Sequence, residues 1–213
     1  MIELNDADIL PDDLKALFDS LDYEEEGGLG VDLIEYLSNE VHLTFSLSLG
    51  DISQQWQLQI LNYKGSKIDI DNLGGYFKFY SSHYLMYEYL DNSTELYVKK
   101  GCDNPEQLLS EIYKLHNTVF ENYIPLERFL NGDDLLKCCK SQFGLFARGP
   151  KGILSYYFEC LKKMGNEPYY IGDYTLTEWD GTKQIPTNKD LKLIIIGGTY
   201  FVGQSFVFKR ISK

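Results

Sequence analysis

No stretch of this chain approaches the run of about 18 apolar residues that a membrane-spanning helix needs. Its opening, MIELNDADIL, is acidic where a secretory signal would be basic and then apolar, so a cytoplasmic protein is expected. Cysteine is scarce. Cys102, Cys138, Cys139 and Cys160 show no Cys-x-x-Cys spacing, which argues against a disulfide framework or a zinc site and for reduced thiols. Histidine is scarcer still: His42, His83 and His116 have no carboxylate or cysteine at a motif spacing, so no catalytic residue is assigned. Positive charge is short as well, with 20 bases against 32 acids.

That deficit is local. Residues 1–40 hold 13 acids and the single base Lys15, while the remaining residues carry 19 of each sign. A field this one-sided repels nucleic acid and anionic membrane and attracts cations or a basic protein. The densest acids, Asp22, Glu24, Glu25 and Glu26, with Asp32 nearby, are the candidate partner-binding residues. A solvated, solubilising face is the plainer reading of the same charges.

What is present is enough for a packed core: 213 residues, 44% hydrophobic and 15% aromatic, fit a single domain over 1–213. PDDLKALFDSL places Leu14, Leu17, Phe18 and Leu21 at helical spacing behind Pro11, and VDLIEYLSNE reads as a second short helix, giving an acidic helical segment over 1–40. Residues 41–100 are strand-rich. VHLTFSLSL alternates Val41, Leu43, Phe45, Leu47 and Leu49 with polar partners, and QWQLQIL repeats the pattern. Residues 104–165 read as helical. Asn104 is the cap, Pro105 the first residue and Leu108, Ile112, Leu115 and Val119 the apolar stripe of one helix; DDLLKCCKSQ and GPKGILSYYFECLKKMG follow, the last stopping at Gly165. Residues 168–213 return to strand composition. The fold class is α+β: antiparallel sheet with a central group of about three helices and a short acidic helical N-terminus.

Three stretches invite a chemical reading. LIIIGGTYFVG resembles the opening of short-chain epimerases, but only ten residues follow Gly203, QSFVFKRISK looks like strand, and no helix or ribose-binding acid follows. Two strands meeting at a Gly197-Gly198 turn, with Gly203 at a bulge or close contact, is the expectation. DYEEEGGLG sets Asp22, Glu24 and Glu26 at positions 1, 3 and 5 of a calcium loop between helical flanks, yet position 12 is Leu33 and Asp32 is one residue early. A weak calcium-binding module is thus an alternative, and no metal or cofactor is assigned. ARGPKG puts Arg148 and Lys151 at a helix start, which is either an anion site or simply the beginning of the helix. A small enzyme using His116 with Cys138 or a carboxylate is the remaining alternative.

The segments HYLMYEYLDNSTELYVKKG, IYKLHNTVF, ERFLNGDDLLKCCKSQFGLFARGPKG and LIIIGGTYFVGQSF, from about His83 onward, resemble uncharacterised bacterial immunity proteins of polymorphic toxin systems. The resemblance implies a cytoplasmic protein that binds and neutralises one cognate toxin, and it carries no active-site residues. A basic nuclease would suit the acids as partner. Tyrosines at Tyr76–Tyr97 and at Tyr169-Tyr170 offer a second candidate surface, because a tyrosine supplies contact area and one hydrogen bond at low entropic cost.

Overall fold

A computed structural model describes residues 1–20, 27–121, 123–131, 135–140, 143–179, 181–187 and 190–212. In chain order the first elements are β1 (Ile2–Glu3), α1 (Asp12–Ser20), β2 (Gly27–Tyr36), β3 (Glu40–Leu49), β4 (Ile52–Leu61), β5 (Gly65–Lys67), β6 (Phe77–Ser82), α2 (Tyr87–Leu90) and β7 (Ser93–Val98). Then come α3 (Pro105–Phe120), α4 (Leu135–Lys140), β8 (Gly144–Pro150), α5 (Lys151–Lys163), β9 (Pro168–Tyr174), β10 (Thr177–Trp179), β11 (Gln184–Pro186), β12 (Lys192–Ile196), β13 (Thr199–Gly203) and β14 (Ser205–Ser212). The fold is α+β with antiparallel sheets. Where the sequence suggests one domain over 1–213, the contacts fall into two compact units, residues 1–83 with 190–213 and residues 84–189. Among the described residues, no helix is long and apolar enough to cross a membrane.

The first unit is built from alternation. β3 buries Val41, Leu43, Phe45 and Leu47, and β4 buries Trp56, Leu58 and Ile60, while their polar neighbours face out. These strands belong to a four-stranded sheet in the order β14-β4-β3-β2, and a five-stranded sheet runs β1-β6-β12-β13-β5. One hydrophobic core joins the two sheets, contributed by Phe77, Phe79, Ile194, Ile196 and Phe201 from the second sheet and by Leu14, Leu17 and Phe18 from α1. The helix at PDDLKALFDSL is therefore real but ends at Ser20, and Leu21 lies outside the described residues.

The helix expected over VDLIEYLSNE is instead strand β2. Leu29 pairs with Leu47 and Val31 with Phe45; the register then slips by one residue, so that Ile34 meets Leu43 and Tyr36 meets Val41. Asp32 is the extra residue of this bulge. Inserting it turns an alternating 29, 31, 33 pattern into 29, 31, 34, 36, and the 31-to-34 step imitates a helical period. Three glycines at 27, 28 and 30 also weigh against helix.

LIIIGGTYFVG folds as the expected hairpin. Ile196 pairs with Thr199 around the Gly197-Gly198 turn, and β14 follows as a strand. Gly197 holds φ at +57°, and a Cβ there would stand 2.5 Å from the Asn72 carbonyl oxygen. Gly197→Ala should thus cost the first unit about 1–3 kcal/mol, the range for a non-glycine residue forced into left-handed backbone. Gly28→Ala, with open space around its Cβ position, should stay within about 0.5 kcal/mol. Denaturant unfolding followed by the buried Trp56 reads both. Gly203 is the expected close contact: its Cβ would meet Ile60 Cγ2 at 2.7 Å, just where the chain leaves one sheet for the other.

In the second unit α3 begins as the sequence suggests, with the Gln107 N–H donating to Asn104 Oδ1 at 3.0 Å and Pro105 opening the helix. α5 closes on Gly165 at φ +82°, where the Gly165 N–H reaches the Lys162 carbonyl and the Asn166 N–H the Leu161 carbonyl. The helical block expected over 104–165 is interrupted, however, by strand β8. It pairs with β7, which lies between β8 and β9 in a three-stranded sheet, and α5 covers that sheet through Ile153, Leu154, Tyr157 and Leu161. A two-stranded ribbon, β10 with β11, completes the unit.

Candidate functional site

α3 sets four residues one turn apart on its buried row: Leu108, Ile112, His116 and Phe120. The sequence places His116 beside the apolar stripe; the fold places it inside. His116 is 1% exposed. Its Nε2 lies 2.6 Å from the Ile124 carbonyl oxygen and its Nδ1 lies 2.8 Å from the Tyr157 hydroxyl on α5. A carbonyl only accepts, so Nε2 carries the proton and the Tyr157 O–H donates to Nδ1. Burial pushes the imidazole below its ordinary range, against the opposing pull of the Ile124 carbonyl and Glu127, and burial pushes the Tyr157 phenol up. Both nitrogens are engaged, so neither is offered to a substrate while these two hydrogen bonds hold. The side chain of Cys138, its suggested partner, lies outside the described residues.

The other histidines are also tied into the framework. His83 is buried at the end of β6 with its ring 4.8 Å from that of Tyr80, and burial, helped by the N-terminal ammonium, lowers it to about 4. His42 sits on the polar face of β3 with Nε2 3.1 Å from Glu40 Oε2. Among the cysteines, Cys102 and Cys139 are buried, and the Cys160 thiol is pushed up by burial and by Glu111, with Lys163 opposing. A raised thiol is a poor nucleophile.

Asp22, Glu24, Glu25 and Glu26 lie outside the described residues. The calcium-loop reading needs a helix on each side of them, and the downstream flank is β2. Asp32 accepts from Ser46 Oγ at 2.6 Å and from Gln55 Nε2 at 3.4 Å across three strands. A charged bulge on this edge strand hinders pairing with another chain. Upstream, Glu3, Asp8, Asp12, Asp13 and Asp19 are all exposed. Lys15, the one base among them, is held by Asp19 at 2.9 Å and Asp6 at 3.5 Å.

The start of α5 is filled from within. The Asp91 carboxylate accepts the Gly152 N–H, the Lys151 N–H donates to the Asn92 carbonyl at 2.9 Å, and Arg148 is ion-paired with Glu95. An external anion at ARGPKG would have to displace Asp91, and the segment serves as the helix start.

A groove of about 640 Å³ runs between α3 and α5. Leu115, Tyr156, Cys160 and Met164 supply its apolar surface, and Glu111, Lys114, Glu159 and Lys163 its charges, two of each sign. No sequence motif marks it, because its walls come from residues some 40 positions apart. The paired tyrosines divide between environments. Tyr157 is buried while Tyr156 borders the groove. On β9, Tyr169 packs 5.7 Å from Tyr97 with Lys99 Nζ 5.0 Å from its ring, and Tyr170 stacks on Phe158 of α5 at 4.9 Å. Ile171, Tyr174 and Trp179 in the same unit are exposed. Comparison of the chain with protein-family models, with curated proteins and with solved structures finds no match.

Proposed function

We propose that this chain is a protein-binding immunity protein that neutralises a cognate bacterial toxin by covering its active surface. The observation that carries the reading is the confinement of the whole negative excess to residues 1–40, with the described acids of residues 1–20 exposed or half-exposed and their one base already neutralised. Such a surface steers a basic partner, a phosphate-attracting nuclease cleft being the partner of matching chemistry. The engagement of His116 in packing favours a role in binding over one in proton transfer.

Replacing Glu24, Glu25 and Glu26 together by Gln tests it. Stability should hold within about 0.5 kcal/mol, because removing three adjacent like charges relieves their mutual repulsion. Association with the partner, taken as the product of the adjacent reading frame, should slow by roughly tenfold or more at low ionic strength. The difference should shrink as salt screens the field over a Debye length of about 10 Å at 0.1 M. Stopped-flow rates across a salt series read this directly. Equal rates for wild type and variant at every salt concentration would remove the acids from the interface and move attention to Tyr97, Tyr169 and their neighbours.

A further inference from the structure

The His116 cluster joins three pieces of chain: α3 through the histidine itself, α5 through Tyr157, and the segment after α3 through the Ile124 carbonyl. The two bonds have fixed polarity. Nε2–H must donate to the carbonyl, so the Tyr157 O–H can donate only to a bare Nδ1 lone pair. A proton taken from solvent onto Nδ1 removes that acceptor. The phenol must then swing its proton elsewhere in a buried site, and a positive charge appears beside the Phe120 ring, 4.9 Å away. Tyr157 on α5 and Glu127 on the 126–128 turn are the titratable groups that face the imidazole from the elements around it; Glu127 favours the cation but makes no ion pair with it. The same two helices wall the groove, with Leu115 next to His116 and Tyr156 next to Tyr157.

We propose that His116 is a proton-sensitive latch: it holds α3, α5 and the chain at Ile124 together while its imidazole is neutral, and protonation releases them and widens the groove. The sign follows from the direction of the shift. A histidine lowered in the folded state binds its proton more readily when the site is open, so the latch is closed above the ordinary histidine range and loosens as pH falls through it.

Hydrogen exchange of the full chain between pH 7.5 and 5, corrected for the intrinsic pH dependence of exchange, reads the latch. Below the ordinary histidine range, amides of Tyr123, Ile124 and the facing turns of α3 and α5 should lose protection by up to about tenfold per pH unit, the limiting slope for one linked proton. Amides of β3 and β4 should not. His116→Gln keeps a donor for Ile124 and an acceptor for Tyr157 but cannot titrate, and it should flatten the slope. Where that variant does not fold, the NMR titration of the wild-type His116 ring replaces it, and its midpoint must lie below the pH at which local exchange begins to rise, where that rise levels off. An unchanged slope in His116→Gln, a ring titration with no matching loss of protection, or a loss spread evenly over both units would each overturn the latch.

Discussion

His116→Leu is expected to destabilise the unit formed by residues 84–189 by about 2–6 kcal/mol. The leucine is close in volume, so the loss comes from two orphaned groups, the Tyr157 hydroxyl and the Ile124 carbonyl, each costing about 1–3 kcal/mol when buried without a partner. Tyr157→Phe alone should cost less. The double variant should be more stable than the sum of the two losses implies, because deleting both ends of a buried hydrogen bond leaves fewer stranded groups than deleting one. Chemical denaturation monitored by a probe in this unit, such as the exposed Trp179, gives the three numbers. The outcome also decides between functions. A histidine kept for proton transfer can usually be replaced at no loss of stability, and often with a gain. Wild-type stability in His116→Leu would restore the enzyme reading that the hydrogen bonds argue against.

Strands and helices with a regular period are legible in the sequence. β3 alternates without interruption over ten residues, β4 does so from Gln55 to Ile60, α3 carries its own cap, and the strand composition after the glycine pair at 197 and 198 marks that pair as a turn. The two strands that the sequence pattern disguises, β2 and β8, share one cause. In β2 the extra residue Asp32 makes the apolar spacing look helical; in β8 the pairing slips between Leu96 and Tyr97, so Phe146 and Ala147 are buried side by side and the period of two is lost. A bulge is a single-residue insertion, and without the partner strand its position cannot be read from the pattern. Partition into two units was also beyond the sequence, since it depends on β6 pairing with β12 more than a hundred residues later. The candidate site was half legible. The sequence sets His116 beside a stripe of Leu108, Ile112, Leu115 and Val119, whereas the buried row runs Leu108, Ile112, His116 and Phe120; its partner Tyr157 is 41 residues away and nothing in a single sequence joins them.

Phe77→Ala should cost the first unit about 3–5 kcal/mol, the range for truncating a buried aromatic side chain. The ring stands where three elements meet, with centroids 5.2 Å from Phe18 of α1, 5.2 Å from Phe45 of β3 and 5.6 Å from Phe208 of β14. Its removal therefore weakens the contact between the two sheets and also the seat of α1. At nine residues, α1 is too short to persist in water by itself and depends on Leu14, Leu17 and Phe18 for its helical state. Hydrogen exchange should accordingly show α1 losing protection ahead of β3 and β4, and Trp56 fluorescence should report the lowered global midpoint. Ile70→Ala, at a side chain 80% exposed, should change stability by no more than about 0.5 kcal/mol. The variant also bears on binding, because α1 holds Asp12, Asp13 and Asp19 in a fixed array. If that array is part of what a basic partner meets, the folded Phe77→Ala protein should associate more slowly than Ile70→Ala, with the gap closing at high salt. Equal association rates at all salt concentrations, despite a frayed α1, would show that the partner responds to net charge alone and that the helix serves only the core.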